Sequence, residues 1–454
     1  MTNSSIGTAE QLRDPNYTPP MAQAIPLGIQ HVMAMFASNV TPAIIVSGAA
    51  GLGFGGAHAN PEVVGYMIQM SILFAGIATL IQTIGIGPIG ARLPIVQGTS
   101  FAFLPVMIPA VAGLGVSGLP GLMTGVMIGG LFHFGLGFII GKIRFALPPL
   151  VTGLIVLMIG LLLIKVGIQY AAGGAGNYHM SKDTWGGGAN WTMAFTVIIV
   201  TLGVKFFFKG FMSAAAVLIG LIAGYLVAHF FFGAVDFSKA GGADFVGLPM
   251  PFKFGFEINW TIVVGMCLMA FVSAVETVGD VSGITKGGAG REATDAEITG
   301  ATFADGLGTA IAGMFGALPN TSFSQNVGLI AMTGIMSRHV VTIGAIFLVF
   351  CGLSPKIAAY VNTIPYPVLG GGVIVMFGMV AAAGVNMLSD VNWDKRNMVI
   401  FAVALTMGLG MQQVPDAMKF LPEMARMLIS TGLLPAAIIA IVLNLILPDN
   451  AAEG

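Results

Sequence analysis

Asn320-Thr321-Ser322-Phe323-Ser324-Gln325-Asn326-Val327-Gly328-Leu329-Ile330-Ala331-Met332-Thr333-Gly334 lies between two strongly apolar stretches and reads unlike either. Six polar side chains fall in the seven residues from Asn320 to Asn326. The run available for a helix, 322 to 334, has 13 residues, about 20 Å at 1.5 Å per residue against roughly 30 Å of hydrocarbon. It is too short and too polar to cross lipid, so it predicts a discontinuous helix whose unwound start lines a water-filled or ligand-filled site. A helix beginning here would aim unpaired N–H groups at that site. The carboxamide of Gln325 both donates and accepts hydrogen bonds, as the edge of an amide-bearing ring requires. A polar re-entrant loop that only gates is the plainer alternative.

The surrounding chain is that of a membrane protein. Its 454 residues hold 18 Lys+Arg and 19 Asp+Glu, or 8% charged, against roughly a quarter in a soluble globular protein. Hydrophobic residues make up 56%, mean hydropathy is +0.92, and apolar runs of spanning length recur from Ala24 to Leu447. The class is an all-α polytopic membrane protein; a β-barrel would show short alternating segments instead. A net charge of −1 supplies no basic field for nucleic acid. Cys267 and Cys351 each lie in an apolar run, which suits packing rather than a disulfide or a thiolate metal site. No paired nucleophile and base, zinc-ligand spacing or phosphate-binding loop is present, so neither an enzyme nor a metal or other cofactor is expected.

Marking apolar runs between charged or Gly/Pro-rich breaks predicts 14 spans, near 24–48, 63–85, 93–112, 121–140, 147–171, 191–208, 213–232, 261–285, 300–318, 322–334, 340–363, 366–388, 396–414 and 430–447. The third and tenth are the short ones. Residues 1–22 read as a polar tail without a signal-peptide pattern, and Asp449 to Gly454 as a brief acidic end. The insertions near 173–190 and 233–260 read as ordinary connecting loops. With the N-terminus in the cytoplasm, inside segments hold 11 basic residues and outside segments six. That excess favours both termini cytoplasmic and an even number of crossings.

The two halves of the chain resemble each other. Thr99-Ser100-Phe101 recurs as Thr321-Ser322-Phe323, and Pro149, Gly153, Met158 and Gly160 recur as Pro367, Gly371, Met376 and Gly378 at a constant offset of 218. Seven spans per half is odd, so the second copy enters the membrane from the opposite side, giving two inverted repeats. In such repeats, short paired segments meet at the midplane to build a substrate site.

Glu276, Asp280 and Asp305 are acidic residues well inside apolar spans. A carboxylate near the bilayer centre costs at least roughly 2.5–3.5 kcal/mol, so each needs a cavity, a partner or a proton. Glu276 and Asp280, at i and i+4, share one helix face and can share a ligand or a proton, which is what proton-coupled transport requires. The alternative is helix capping or interhelical bonding, and Asp305, near the start of its span, also suits an N-terminal cap. His31, beside Gln30 in the first span, can relay a proton or orient a carboxylate. Lys165, near the end of its span, suits snorkelling.

At these residues the chain resembles the nucleobase-ascorbate transporters, also called uracil-xanthine permeases. The tenth-helix signature of that family, Gln or Glu followed by Asn-x-Gly-x-x-x-x-Thr-(Arg, Lys or Gly), stands here as Gln325 to Gly334. The first-helix Gln-His pair is Gln30-His31, the third-helix Gly-Thr-Ser-Phe is Gly98 to Phe101, and the eighth-helix Glu-x-x-Gly-Asp is Glu276 to Asp280. That last motif usually continues x-x-Ala-Thr, where this chain has Val281-Ser282-Gly283-Ile284.

The resemblance implies a core domain of the first to fourth and eighth to eleventh helices (23–145 and 255–363), a gate domain of the rest (146–235 and 364–448), short half-helices 3 and 10, a homodimer, and elevator-like movement of core against gate. It also implies that Glu276 and Gln325 hydrogen-bond a nucleobase and that Phe101 and Ser100 line the pocket. Asn326, Asp280, Asp305 and His31 would support the site and couple protons. Gln325-Asn326 with a closing Thr-Gly is similar to the bacterial xanthine and urate branch, so xanthine is expected first, then urate, then uracil. The implied partners are a small nucleobase, a proton and the lipid bilayer, and the implied location is the cell inner membrane. A sulfate-permease-like anion exchanger would resemble the fold too, but should carry a basic residue at the site, where Ser100-Phe101 and Gln325-Asn326 have none.

Overall fold

In lipid every backbone N–H and C=O must find its partner within the protein, so the apolar runs wind into helices. The computed structural model describes residues 7–53 and 55–448; the first six residues of the N-terminal tail and the acidic end from Asp449 to Gly454 lie outside the described residues. In chain order the helices are α1 (Met21–Ala49) and α2 (Pro61–Ile84), then a strand, β1 (Gln97–Thr99), leading into the short α3 (Leu104–Val111), followed by α4 (Leu119–Leu136), α5 (Pro149–Ala171), α6 (Gly188–Phe207) and α7 (Ala216–Phe230). The second half runs α8 (Trp260–Ile284), α9 (Asp295–Met314), β2 (Asn320–Ser322) leading into the short α10 (Ser324–Thr333), α11 (Arg338–Gly352), α12 (Tyr366–Leu388), α13 (Lys395–Gln413) and α14 (Leu433–Ile446).

Among the described residues seven helices are long and apolar enough to cross a membrane, or nine if two bent pairs each count as one span. Those pairs join Arg338–Gly352 to Pro355–Val361 at 86° and Glu423–Ile429 to Leu433–Ile446 at 77°. The difference from 14 has a physical origin. α3 and α10 have only 8 and 10 residues and α7 has 15, while α9 and α13 spend part of their length on charged and polar side chains.

Local sequence fixes where the helices start. Asn60 accepts from the Val63 N–H ahead of Pro61 in α2, and Asn259 caps α8. Thr294 and Glu297 form a capping box at the head of α9. Small residues bring helices close: a Cβ added at Gly160 of α5 would lie 2.5 Å from the Ala381 nitrogen of α12, and one at Gly370 of α12 would lie 2.0 Å from the Ala171 nitrogen of α5. α2 packs on α11, α4 on both α9 and α8, α1 on α11, α6 on α7 and α13 on α14.

The N-terminal tail is docked. After a short helix, Ala9–Arg13, the Leu12 carbonyl accepts from the Met336 N–H at 2.7 Å, the Pro15 carbonyl from Arg338 N–H at 2.9 Å, and the Tyr17 carbonyl from the Ser337 hydroxyl at 2.6 Å. Lys165 is exposed on α5.

Candidate functional site

The two short segments meet. β1 pairs antiparallel with β2, Gln97 opposite Ser322, Gly98 opposite Thr321 and Thr99 opposite Asn320, and the pairing continues as Ser100 N–H donates to the Pro319 carbonyl and Phe323 N–H to the Val96 carbonyl. The sequence predicts two broken helices here; the breaks are extended strands whose exposed edges are satisfied by each other. Each strand is also held by a threonine of a long helix. Thr79 of α2 accepts from the Gln97 N–H at 2.8 Å, and Thr309 of α9 accepts from the Asn320 N–H at 3.0 Å. Asn39 of α1 accepts from both the N–H and the hydroxyl of Thr99, while Ser273 of α8 donates to the Thr321 hydroxyl. Gly98 is required because a Cβ there would stand 1.8 Å from the Phe323 ring.

All three intramembrane carboxyls are buried around this crossing. Asp280 accepts from the hydroxyls of Ser322 and Ser324, both at 2.7 Å. Asp305 accepts from the amides of Gln82 and Gln97 and from the Thr277 hydroxyl. It is not a helix cap: Thr294 caps α9, and Asp305 sits mid-helix as the anchor that ties α2, β1 and α8 to α9. Glu276, one turn before Asp280, makes no hydrogen bond among the described residues, and its Oε2 is buried without a partner.

Gln325 follows Ser324 directly, and its Nε2 is likewise buried without a partner. With Ser324 it lines a cavity of about 680 Å³ walled by Ala34 of α1, Thr201 of α6, and Val375 and Met379 of α12. At the rim, Lys286 beyond α8 pairs with Asp390 beyond α12 at 2.6 Å, both side chains more than half exposed. Asn326 places its Nδ2 3.0 Å from His31 Nδ1 and donates to the His31 carbonyl, clamping α10 to α1. Phe101 is buried edge-on against Phe377 of α12, ring centroids 5.0 Å apart, and the Ser100 hydroxyl accepts from the Ala102 N–H.

The expected residues thus fall into linked groups: Asp280 with the β2–α10 start, Asp305 with β1, His31 with Asn326, Phe101 with α12. Gln325 lines the cavity, whereas Glu276, Phe101 and Ser100 are not among its lining residues. Sequence reasoning missed Gln82, Gln97, Thr277 and Asn39. The amides were legible, since Gln82 and Gln97 stand in apolar surroundings, but a search confined to charges passes over neutral donors.

A bundle of lipid-length helices in which two short strand–helix segments cross over buried carboxyls is the construction of a secondary transporter. The family model described as "Permease family" matches residues 22–417, and the chain belongs to that family, the uracil-xanthine permeases its motifs resemble; it is a permease and not an enzyme. It is 38% identical over 423 residues to a Clostridium perfringens protein provisionally named a purine permease, covering 93% of this chain and 90% of that one. It is 35% identical over 429 residues to the xanthine permease of Bacillus subtilis, covering 93% of each. To the xanthine permease XanQ of Escherichia coli it is 34% identical over 441 residues, 95% of this chain and 92% of that one. The fold is shared with the transmembrane domain of the cyanobacterial bicarbonate transporter BicA (TM-score 0.57, 13% identity, 93% of this chain and 97% of that one) and with SLC26A9 (TM-score 0.59, 13% identity, 85% and 62%).

Proposed function

We infer that this protein is a proton symporter of the cell membrane that imports a purine nucleobase, xanthine foremost, with urate next and uracil third. The observation that carries the reading is the unequal state of the buried polar groups. Asp280 and Asp305 are fully served by donors, while among the described residues Glu276 Oε2 and Gln325 Nε2, like Gln97 Oε1 and Asn326 Oδ1, have no partner. Buried polar atoms are left unpaired at a cost of about 1–3 kcal/mol each, so a ligand that offers both a donor and an acceptor along one planar edge recovers that cost. An oxopurine does so, and a neutral carboxyl at Glu276 tolerates the empty state better than a carboxylate would. The names of the xanthine permeases to which the chain is similar support the same substrate class.

The architecture in this reading is 14 spans in two inverted repeats of seven, with core residues 23–145 and 255–363 and gate residues 146–235 and 364–448. Both termini are cytoplasmic, the 1–22 tail included, and the protein is a homodimer. The packing supports it: α4 on α8 has its counterpart in α11 on α1, α6 on α7 in α13 on α14, and the Thr79–Gln97 bond in Thr309–Asn320. Outward-facing protein, protonated at Glu276, binds the base between Glu276 and Gln325. The core then shifts against the gate, and base and proton leave through the cavity ending at Lys286 and Asp390. Asp280 and Asp305 hold the two strands in register, and Asn326 with His31 holds α10 against α1. Coupling requires base and proton each to favour the other's binding. Among the described residues the cations lining this cavity are Lys205 and Lys286, both exposed and the second paired with Asp390, and the Ser100–Phe101 and Gln325–Asn326 segments carry none, which disfavours anion exchange despite the fold shared with anion carriers.

Purified protein in liposomes should accumulate labelled xanthine when the outside is made acid, and uptake should be competed by urate and more weakly by uracil. Uptake indifferent to the imposed pH gradient would refute the symport, and failure of purines to compete would refute the substrate class.

A further inference from the structure

Between α7 and α8 the chain runs from 244 to 259 without helix or strand, yet it is neither polar nor loose. Phe245 (77% exposed), Val246, Leu248 (75%), Met250, Phe256 and Ile258 all turn their side chains outward. The backbone is stapled to four helix ends. Gly247 N–H donates to the Leu353 carbonyl, and the Gln69 amide donates to the Gly247 carbonyl. Tyr66 both accepts from the Met250 N–H and donates to the Met250 carbonyl. Phe252, held at a strained φ of 52°, donates its N–H to Met314, and Glu257 N–H donates to the Thr124 hydroxyl. The segment is a strap fixed across the same ends of α2, α4, α9 and α11.

We propose that this strap is a membrane-binding surface, its apolar side chains seated in the boundary between phospholipid headgroups and acyl chains. Outward-facing apolar side chains on a backbone too well bonded to fold over them need a cover from outside the chain. Lipid is the occupant that the neighbouring surface indicates. The strap runs directly into Trp260, 67% exposed at the head of the spanning helix α8, and tryptophan at a span end marks the headgroup level. Lys253 lies 3.8 Å over the Tyr66 ring and Lys356 5.4 Å from the Phe245 ring, the aromatic-plus-lysine composition of the same zone. Asp244 and Glu257 offset these lysines, so the surface takes zwitterionic phospholipid as well as anionic. Because it is stapled to helices assigned above to the core, the strap travels with the core; that corollary alone rests on the transport reading.

An environment-sensitive fluorophore on Leu248→Cys, with Cys267 and Cys351 replaced by alanine, tests it in liposomes of phosphatidylcholine with and without phosphatidylglycerol. The expected result is blue-shifted emission, quenched by brominated phosphatidylcholine and protected from iodide in both lipids, with Asp183→Cys on the 173–190 loop showing the reverse. Emission at the aqueous position with iodide quenching would overturn the proposal. So would a blue shift that persists in detergent without brominated-lipid quenching, which would mean a second copy covers the strap. Val246→Cys reads the same surface should Leu248→Cys fold poorly. Labelled-xanthine uptake by the same liposomes reports on the transport reading separately, since a strap in lipid with no uptake would sink only that.

Discussion

The two crossing segments begin alike and end unlike. Both carry Thr-Ser-Phe, both form one strand of the same antiparallel pair, and both have a strand end held by a threonine from a long helix. Beyond the phenylalanine they diverge: α3 continues Leu104-Pro105-Val106-Met107-Ile108, whereas α10 opens Ser324-Gln325-Asn326. The first segment supplies an aromatic contact to α12, Phe101 against Phe377. The second supplies the hydrogen-bonding groups, which Asp280 and His31 hold in place. Equal geometry with unequal chemistry means that strand pairing belongs to the fold, and under the proposed function selectivity would belong to one side of it.

The comparison breaks most sharply at Glu276. Glu276→Gln keeps the volume but removes the exchangeable proton, so uptake driven by a pH gradient should fall to background while the protein still reaches the membrane; concentrative uptake by this variant would remove Glu276 from the coupling. Next comes Gln325→Glu on the polar side, expected to cost about 1–3 kcal/mol of xanthine binding, roughly 5-fold to 150-fold in apparent affinity, with relative gain for uracil in competition assays. On the first segment, Phe101→Leu should alter affinity far less, and an equal loss in both would show that the two segments share recognition evenly.

Much of this division could be read from the residues alone, because a Gln-Asn pair in a thirteen-residue run between apolar stretches and carboxyls at i and i+4 are both too costly in lipid to be incidental. The strand pair could not. Three-residue strands carry no periodicity, and Gln97-Gly98-Thr99 reads as a break until Asn320 to Ser322 is known to lie opposite it. The same limit hid Asp305's role: near the start of its apolar run it looked suited to a cap, but α9 begins ten residues earlier at Asp295, and the donors that fix Asp305 come from α2, β1 and α8. The 233–260 insertion is a connecting loop as expected, but its surface was hidden for a related reason. Pro, Gly and Asp give it a polar look, while the outward turn of its phenylalanines is a property of the backbone path.

The shared half of the comparison is sharpened by a matched pair of substitutions. Thr79→Val leaves the Gln97 N–H unpartnered, and Thr309→Val does the same to Asn320. Each should lower stability by about 1–3 kcal/mol, and the two losses should agree within a factor of two in thermal unfolding of the purified protein. A loss confined to Thr309→Val would mean that the polar segment alone needs bracing, and the structural equivalence of the crossing would fail.

The smallest effect is expected at the cavity rim. The Lys286–Asp390 pair joins the ends of α8 and α12, so any sliding of one against the other has to stretch it. Both side chains are more than half exposed, and an ion pair in that setting contributes about 0–1 kcal/mol. Lys286→Ala should therefore change the xanthine uptake rate less than about fivefold and leave competition by urate and uracil unaltered, because the two charges serve each other at the exposed end of the cavity. The double variant Lys286→Asp with Asp390→Lys should restore whatever rate Lys286→Asp loses. A shift in substrate preference on removing this pair would instead draw the rim into recognition, and the assignment of selectivity to α10 alone would no longer hold.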